Sequence, residues 1–210
     1  MSALNLSAGR EYLPEGKIRL GMVGGGIGSF IGPVHRSAMR LDNRYDLVAG
    51  VFSEIDAENR GTAAMLEIDT SRNYSSYKEM ARAEAARPDG IEAVSIVTPI
   101  FLPAPIEKAF LNQGIHVICD KPLTTTFKDA VELRDLAKAC GLQLCVTHNY
   151  TGYPMIRQAR HLVRTDALGE IRAVRVVYPQ QWLCRPLERE DNRQAKWRTD
   201  PKLTGPAGCL

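Results

Sequence analysis

Two runs in this 210-residue chain combine residue types and spacings suited to chemistry. The first is Asp120-Lys121-Pro122, which follows directly on the apolar run Ile115-His116-Val117-Ile118-Cys119. A lysine at the end of a buried strand, beside an acid and fixed by proline, can donate to a substrate oxygen or to a carboxamide. Its compact charge and several donors can follow an oxygen whose charge is changing. A cis Lys121-Pro122 bond would aim the side chain inward. The plainer reading is a surface lysine at a strand end.

The second run is the glycine cluster Gly24, Gly25, Gly26 and Gly28, fed by Ile18, Leu20, Met22 and Val23. A strand that stops at bare backbone and restarts as a helix presents unpaired N–H groups and a positive helix end to a phosphate. Only glycine accepts the dihedrals and the close approach such a turn needs. Of the pattern G-x-G-x-x-G, Gly24 and Gly26 fit and the third position falls on Ser29. Gly32 is then the packing glycine of a lengthened loop, with Gly32 or His35 starting the helix. Gly24, Gly26, Ile27 and Gly28 are candidate cofactor-binding residues. The alternative is a tight strand–helix turn that binds nothing.

The elements that must position these runs alternate. Strands are expected at Tyr45–Phe52, Ile91–Val97, Ile115–Cys119 and Leu142–Val146, with helices at His35–Leu41, Asp56–Leu66, Ser75–Ala86, Pro105–Asn112 and Lys128–Cys140. The strands are apolar on both faces, so they predict a Rossmann-type α/β fold, a doubly wound parallel sheet covered by helices. Ligands in such sheets bind beyond the carboxyl ends of the strands. Past Tyr150 the rhythm changes: a helix over Pro154–Thr165 is followed by Ile171–Tyr178, whose alternation predicts a strand with one wet face. The expected organisation is a polar lead-in (1–16), a dinucleotide-binding domain (17–149) and the first elements of an α+β domain with a mostly antiparallel sheet (150–210). One helix and one strand cannot bury their own apolar faces, so that second domain reads as incomplete.

Bulk properties exclude several classes. A net charge of +3 is too small and dispersed for nucleic acid or an anionic membrane. No apolar run approaches the roughly 20 residues that span a bilayer, and the first residues lack a signal-peptide layout. The 44% hydrophobic content is ample for a core. Five cysteines without a CxxC pair point to small apolar residues in a reducing cytoplasm. Zinc at Cys140 and Cys145 is the lesser alternative, and no metal is expected.

After the second strand stands Ser53, where NAD-specific sheets usually place an acid. A small neutral residue leaves room for a 2′-phosphate, with Arg60 to meet it, whereas Glu54 and Asp56 argue for NAD. The balance tips slightly to NADP. Ser53 as an ordinary helix N-cap is the competing reading.

The ordered set Gly24-x-Gly26, Ile96-Val97-Thr98-Pro99 and Gly114-Ile115-His116-Val117-Ile118-Cys119-Asp120-Lys121-Pro122-Leu123 resembles the Gfo/Idh/MocA oxidoreductases, with Asp120 where that family's signature has glutamate. Gly169-Glu170-Ile171 resembles the family's passage into its second domain. The resemblance implies hydride transfer between NAD or NADP and a sugar, cyclitol or related alcohol or ketone. It implies a homo-oligomer formed through the second domain's sheet. Lys121 would contact substrate and cofactor, Thr98, Pro99 and Pro122 would line the cofactor, and Asp120 would hold Lys121 or the cofactor. His116 reads as structural.

His148-Asn149-Tyr150 departs from the family's usual loop, leaving His148 as a candidate catalytic residue and Asn149 and Tyr150 as candidate substrate contacts. Gly205-Pro206-Ala207-Gly208-Cys209-Leu210 resembles the lead-in to the family's D-x-G-x-H segment. Hydride transfer from an alcohol needs a proton acceptor, which is therefore expected beyond Leu210, in a longer protein. The alternative function is a dinucleotide-binding regulatory module or truncated pseudoenzyme without turnover.

Overall fold

Five apolar runs become five parallel strands, in the order β2-β1-β3-β4-β5 across one sheet. They are β1 (Ile18–Gly24), β2 (Tyr45–Val51), β3 (Ala93–Val97), β4 (His116–Cys119) and β5 (Leu144–Val146). The computed structural model describes residues 16–99, 103–179, 181–182, 184–190 and 192–205. The expected lead-in, apart from Gly16, and positions 206–210 of the glycine-rich run lie outside the described residues.

The crossovers are α1 (Ile31–Arg40), α2 (Asp56–Met65), α3 (Tyr77–Ala85), α4 (Pro103–Leu111) and α5 (Phe127–Cys140). Side chains of a strand alternate between faces, and this divides the core in two. Leu20, Met22, Ala93 and Val97 pack with Met39 of α1 and Ala63 of α2. Val23, Val94, Ile96, Val117 and Cys119 pack with Met80 of α3, Ile106 and Phe110 of α4 and Leu133 of α5. The doubly wound parallel sheet is therefore as expected. Local chemistry sets the helix limits. The Ser76 and Thr126 hydroxyls accept from the main-chain N–H groups of Glu79 and Asp129, capping α3 and α5. Gly141, at φ +68°, closes α5 in the left-handed region. Helix α1 begins at Ile31, earlier than His35, and β5 begins at Leu144, later than Leu142.

One edge feature was not foreseen. Between α2 and α3 the chain forms a parallel bridge from Asn73 to Gly50 of β2. That bridge occupies the place of the edge strand that completes the usual Rossmann order. Buried Arg72 secures it, bonding through Nε to Glu84 Oε1 at 3.0 Å, while Glu84 also accepts from the Tyr74 hydroxyl at 2.7 Å and the Ile91 N–H at 3.1 Å. Each acceptor of this buried carboxylate thus has a donor, as burial demands.

The expected strand at Ile171–Tyr178 is corrected: the segment forms no ladder with any described residue. Alternation fixes which side each residue faces, but a strand also needs a neighbour for its N–H and C=O groups. Here Val174, Val176 and Val177 are all more than three-quarters exposed. Helix α6 (Pro154–Arg164) likewise buries none of its residues. Tyr178 returns to Tyr150, the hydroxyls bonded and the rings edge-to-face at 5.5 Å. Beyond it lie α7 (Arg193–Arg198) and α8 (Pro201–Thr204). Gly205 ends α8 close to Thr125, in the loop that leaves β4.

Candidate active site

Strand order reverses between β1 and β3, and the connections there diverge to leave a crevice at the strand ends. The register pairs Gly24 with Val97, so the glycine turn and Thr98 meet at that crevice. Gly24 and Gly25 have φ of +84° and +75°, which favours glycine at both. A Cβ at Gly26 would come within 2.6 Å of the Phe52 carbonyl oxygen. At Gly32 it would lie 2.5 Å from the Gly25 oxygen and 2.6 Å from the Gly25 Cα. Gly32 is therefore the packing glycine, three positions later than the short pattern allows.

The turn is braced from both sides. Buried Arg36 donates to the Gly25 oxygen at 2.7 Å. The Thr62 hydroxyl accepts from the Ile27 N–H at 3.1 Å, and the Phe52 carbonyl accepts from the Gly26 N–H at 3.1 Å. Burial, helped by Arg40, holds the Arg36 guanidinium below its ordinary pKa.

At the end of β3, Thr98 Oγ1 is buried without a hydrogen-bond partner among the described residues. A buried hydroxyl left without a partner is an acceptor or donor awaiting a ligand or water. At the end of β4, Asp120 Oδ1 accepts from the Thr147 hydroxyl at 2.9 Å and lies 3.8 Å from His35 Nε2. Burial alone would raise the Asp120 pKa, but His35, Thr147 and the Lys121 main-chain N–H outweigh it and hold the carboxyl below its ordinary value. Asp120 is consequently an anion at neutral pH. The Lys121-Pro122 bond is cis, Lys121 is half-buried, and no carboxylate among the described residues lies within ion-pair distance of it.

At the end of β2, the Ser53 hydroxyl accepts from the Ile55 N–H at 3.1 Å and donates to Glu58 Oε2 at 2.8 Å. Asn59 accepts from the Phe52 N–H at 2.8 Å and donates to the Tyr74 carbonyl at 2.8 Å, fixing this loop to the sheet edge. The bare glycine turn, the orphaned Thr98 hydroxyl and the acid beside Ser53 fit a dinucleotide laid across these strand ends.

Comparison with known proteins gives the same answer. Residues 18–148 match the oxidoreductase family with an NAD-binding Rossmann fold named GFO_IDH_MocA. The chain belongs to the Gfo/Idh/MocA family. An uncharacterized oxidoreductase, YfiI, of Bacillus subtilis is 38% identical over 95% of the chain and 51% of its own length. An inositol dehydrogenase homolog from Azotobacter vinelandii, complexed with NAD+, is 41% identical with a TM-score of 0.87, over 91% of this chain and 49% of that one. Another structure of an inositol dehydrogenase homolog from that organism, complexed with NADH and myo-inositol, is 42% identical with a TM-score of 0.72, over 75% and 42% of the two chains. The chain thus spans about half the length of these relatives.

Within this Gfo/Idh/MocA domain the sequence-derived residues separate. Gly24, Gly26, Thr98, Pro99, Asp120, Lys121 and Pro122 share the row of adjacent strand ends. Ile27 spends its N–H on Thr62 and leaves its side chain 59% exposed, and Gly28 has open space around it. Ser53 is tied into the start of α2, and Arg60 pairs with Asp56 at 2.6 Å. His148, Asn149 and Tyr150 lie exposed just past β5, the Tyr150 hydroxyl taken by Tyr178. His116 accepts from the Gln143 N–H at 3.0 Å at the opposite end of β4. Cys140 and Cys145 are exposed free thiols, and no group of three or more metal-binding side chains exists among the described residues. No helix among them is long and apolar enough to cross a membrane.

Sequence reasoning missed His35, Arg36, Asn59, Thr62 and Thr147. Strand parity carried part of the signal. Ser95 falls on the α1 face because Ala93 and Val97 do, Asp120 because Ile118 does, and His35 is the polar residue that α1 turns toward them.

Proposed function

We propose that this chain is the dinucleotide-binding part of an NAD-linked oxidoreductase acting on a sugar, cyclitol or related alcohol or ketone. The observation that carries the reading is the placement of Asp120-Lys121 on the strand end beside Thr98 and the glycine turn, at the switch point of the sheet. The relatives that hold NAD+, NADH and myo-inositol support it. A bound nicotinamide would supply the hydride acceptor or donor. Gly24, Gly26 and the start of α1 would carry the diphosphate, and Thr98 and Pro99 would meet the nicotinamide side. Lys121 would donate to the substrate oxygen and stabilise its charge as the carbon–hydrogen bond is made or broken. The proton acceptor is either His148 or a residue beyond Leu210.

Replacing Lys121 with alanine in the complete enzyme is expected to lower hydride transfer by roughly two orders of magnitude, as for loss of one charge-stabilising donor. Cofactor affinity should change little. Undiminished turnover would remove Lys121 from its role. Dinucleotide binding with no turnover on any polyol or its ketone, even in the complete protein, would leave a binding module without catalysis.

The loop after β2 favours NAD over the NADP toward which the sequence tips. Arg60 is engaged by Asp56, and the Glu58 carboxylate stands against Ser53, where a ribose 2′-hydroxyl is ordinarily held. NADH is expected to bind at least tenfold more tightly than NADPH by fluorescence titration. Equal affinities would count against this assignment. The exposed apolar side chains of α6 and of residues 171–178 suit coverage by the remainder of a second domain, through which copies would associate.

A further inference from the structure

We infer that His35 is a positioning residue of the site: it holds the Asp120 carboxylate in one orientation and so keeps it from capturing the Lys121 ammonium. The inference rests on the reading of Lys121 as the substrate-facing group. His35 lies in the second turn of α1 and is only 8% exposed. Its Nδ1 is 3.0 Å from the hydroxyl of Ser95, a residue with no exposure in the central strand β3. A Ser95 hydroxyl that donates to Nδ1 leaves the ring proton on Nε2, on the side of Asp120.

Asp120 is therefore held from two directions. Its Oδ1 receives the Thr147 hydroxyl from beyond β5 and faces His35 Nε2 from α1, 3.8 Å away. Strand parity makes the arrangement possible. Cys119 points to the α4 face, beside Glu107, while Asp120 points to the α1 face. The titratable neighbours of Asp120 are thus His35 on its own face, Cys119 across the sheet, and Lys121.

The energetic consequence follows from the alternatives open to a carboxylate. With His35 and Thr147 on one side, the charge of Asp120 is satisfied within the sheet. Without His35, the strongest remaining partner within chain reach is the ammonium of Lys121, and an aspartate–lysine pair would withdraw that lysine from substrate. His35 itself touches neither cofactor nor substrate in this account. It acts through Asp120.

The test uses the 210-residue chain and the variants His35→Leu, His35→Gln and Ser95→Ala, with Asp120→Asn to assign the carboxyl signal. Aspartate carboxyl titration by 13C NMR is expected to show the Asp120 midpoint tied to Lys121 in His35→Leu, rising when Lys121→Met is added, and little changed by Lys121→Met in the unaltered chain or in His35→Gln, whose amide can still donate. In the complete enzyme, followed from pH 5 to 9, kcat/KM should fall about tenfold in His35→Leu at pH 8, where Asp120 is ionised, and recover at the acid end, while NADH affinity stays within threefold. A merely structural histidine would lower thermal stability and leave both pH profiles in place.

A folded His35→Leu protein whose Asp120 titration is unaffected by Lys121→Met would overturn the inference. Should His35→Leu fail to fold, Ser95→Ala must make the Asp120 midpoint depend on Lys121 in the same way, and a midpoint that ignores Lys121→Met there overturns it equally. Absence of NADH binding in the unaltered chain would instead count against the cofactor reading. The Asp120 titration would still decide the role of His35.

Discussion

Gly32→Ala is expected to abolish most of the affinity of this chain for NADH. The new methyl group would sit 2.5 Å from the Gly25 carbonyl oxygen and 2.6 Å from the Gly25 Cα, and both are backbone atoms that no rotamer change can move. The first turn of α1 must therefore retreat from the glycine turn, carrying with it the N–H groups proposed to hold the diphosphate. Each charged hydrogen bond lost is worth about 1.5–3 kcal/mol, so loss of two lowers affinity roughly 100- to 10,000-fold. Overpacking of this kind also destabilises the fold by about 1–3 kcal/mol. Gly61→Ala is the control. That glycine lies within α2, its Cβ would meet only Ile27 Cδ1 at 3.5 Å, and alanine should stabilise the helix while leaving binding intact. Calorimetric titration of both variants decides the matter. NADH affinity within threefold of the unaltered protein for Gly32→Ala would show that the α1 N-terminus does not carry the cofactor.

The second large effect concerns Glu107, on α4. It has no exposure, and neither of its carboxylate oxygens has a hydrogen-bond partner among the described residues. The neighbouring Cys119 thiol is directed at the Asp120 carbonyl, 3.1 Å away, and gives it little help. Burial pushes Glu107 from the ordinary 4.5 up to about 7. Burial, with Glu107 beside it, also raises Cys119, which stays a thiol. Because the folded protein binds the Glu107 proton more tightly than the unfolded chain, its contribution to stability is complete below pH 4.5 and is lost as pH rises through 7. The full change amounts to about 3 kcal/mol. Glu107→Gln cannot ionise and should lack this loss. Other carboxylates titrate at the acid end, Asp120 among them, so the informative quantity is the difference in urea-unfolding free energy between the two proteins. That difference should move by about 3 kcal/mol in favour of Glu107→Gln between pH 4.5 and 8.5. Parallel pH profiles would mean that Glu107 is solvated or paired.

Both predictions concern atoms whose importance depends on what stands opposite them, and this marks the boundary of what the residues disclose on their own. The sequence by itself determined the parallel sheet, because runs such as Ala93–Val97 are almost wholly apolar on both faces and successive runs are separated by helical segments. It also determined that Gly24, Thr98 and Lys121 would share the carboxyl edge, since each follows the last residues of a strand. It implied a packing glycine at Gly32, which only the 2.5 Å approach to Gly25 could decide.

Tertiary structure decided the rest. Alternation at Ile171–Tyr178 predicts a strand, yet a ladder needs a second backbone, and no described residue provides one. Asn73 becomes a sheet edge because Asn59, Arg72 and Glu84 fasten its neighbourhood, through contacts 12 to 17 residues apart that no local pattern encodes. Arg60 looks free for a phosphate in the sequence and is paired with Asp56 once α2 brings them one turn apart. The same holds for His35 and Glu107: in the sequence they are a polar residue in each of two amphipathic helices. Only the packing of α1 and α4 on opposite faces of β4 makes one the partner of Asp120 and leaves the other without a hydrogen-bond partner among the described residues. Periodicity and glycine are local properties and are legible in the chain, whereas the protonation and orientation of a site group depend on its neighbours in space.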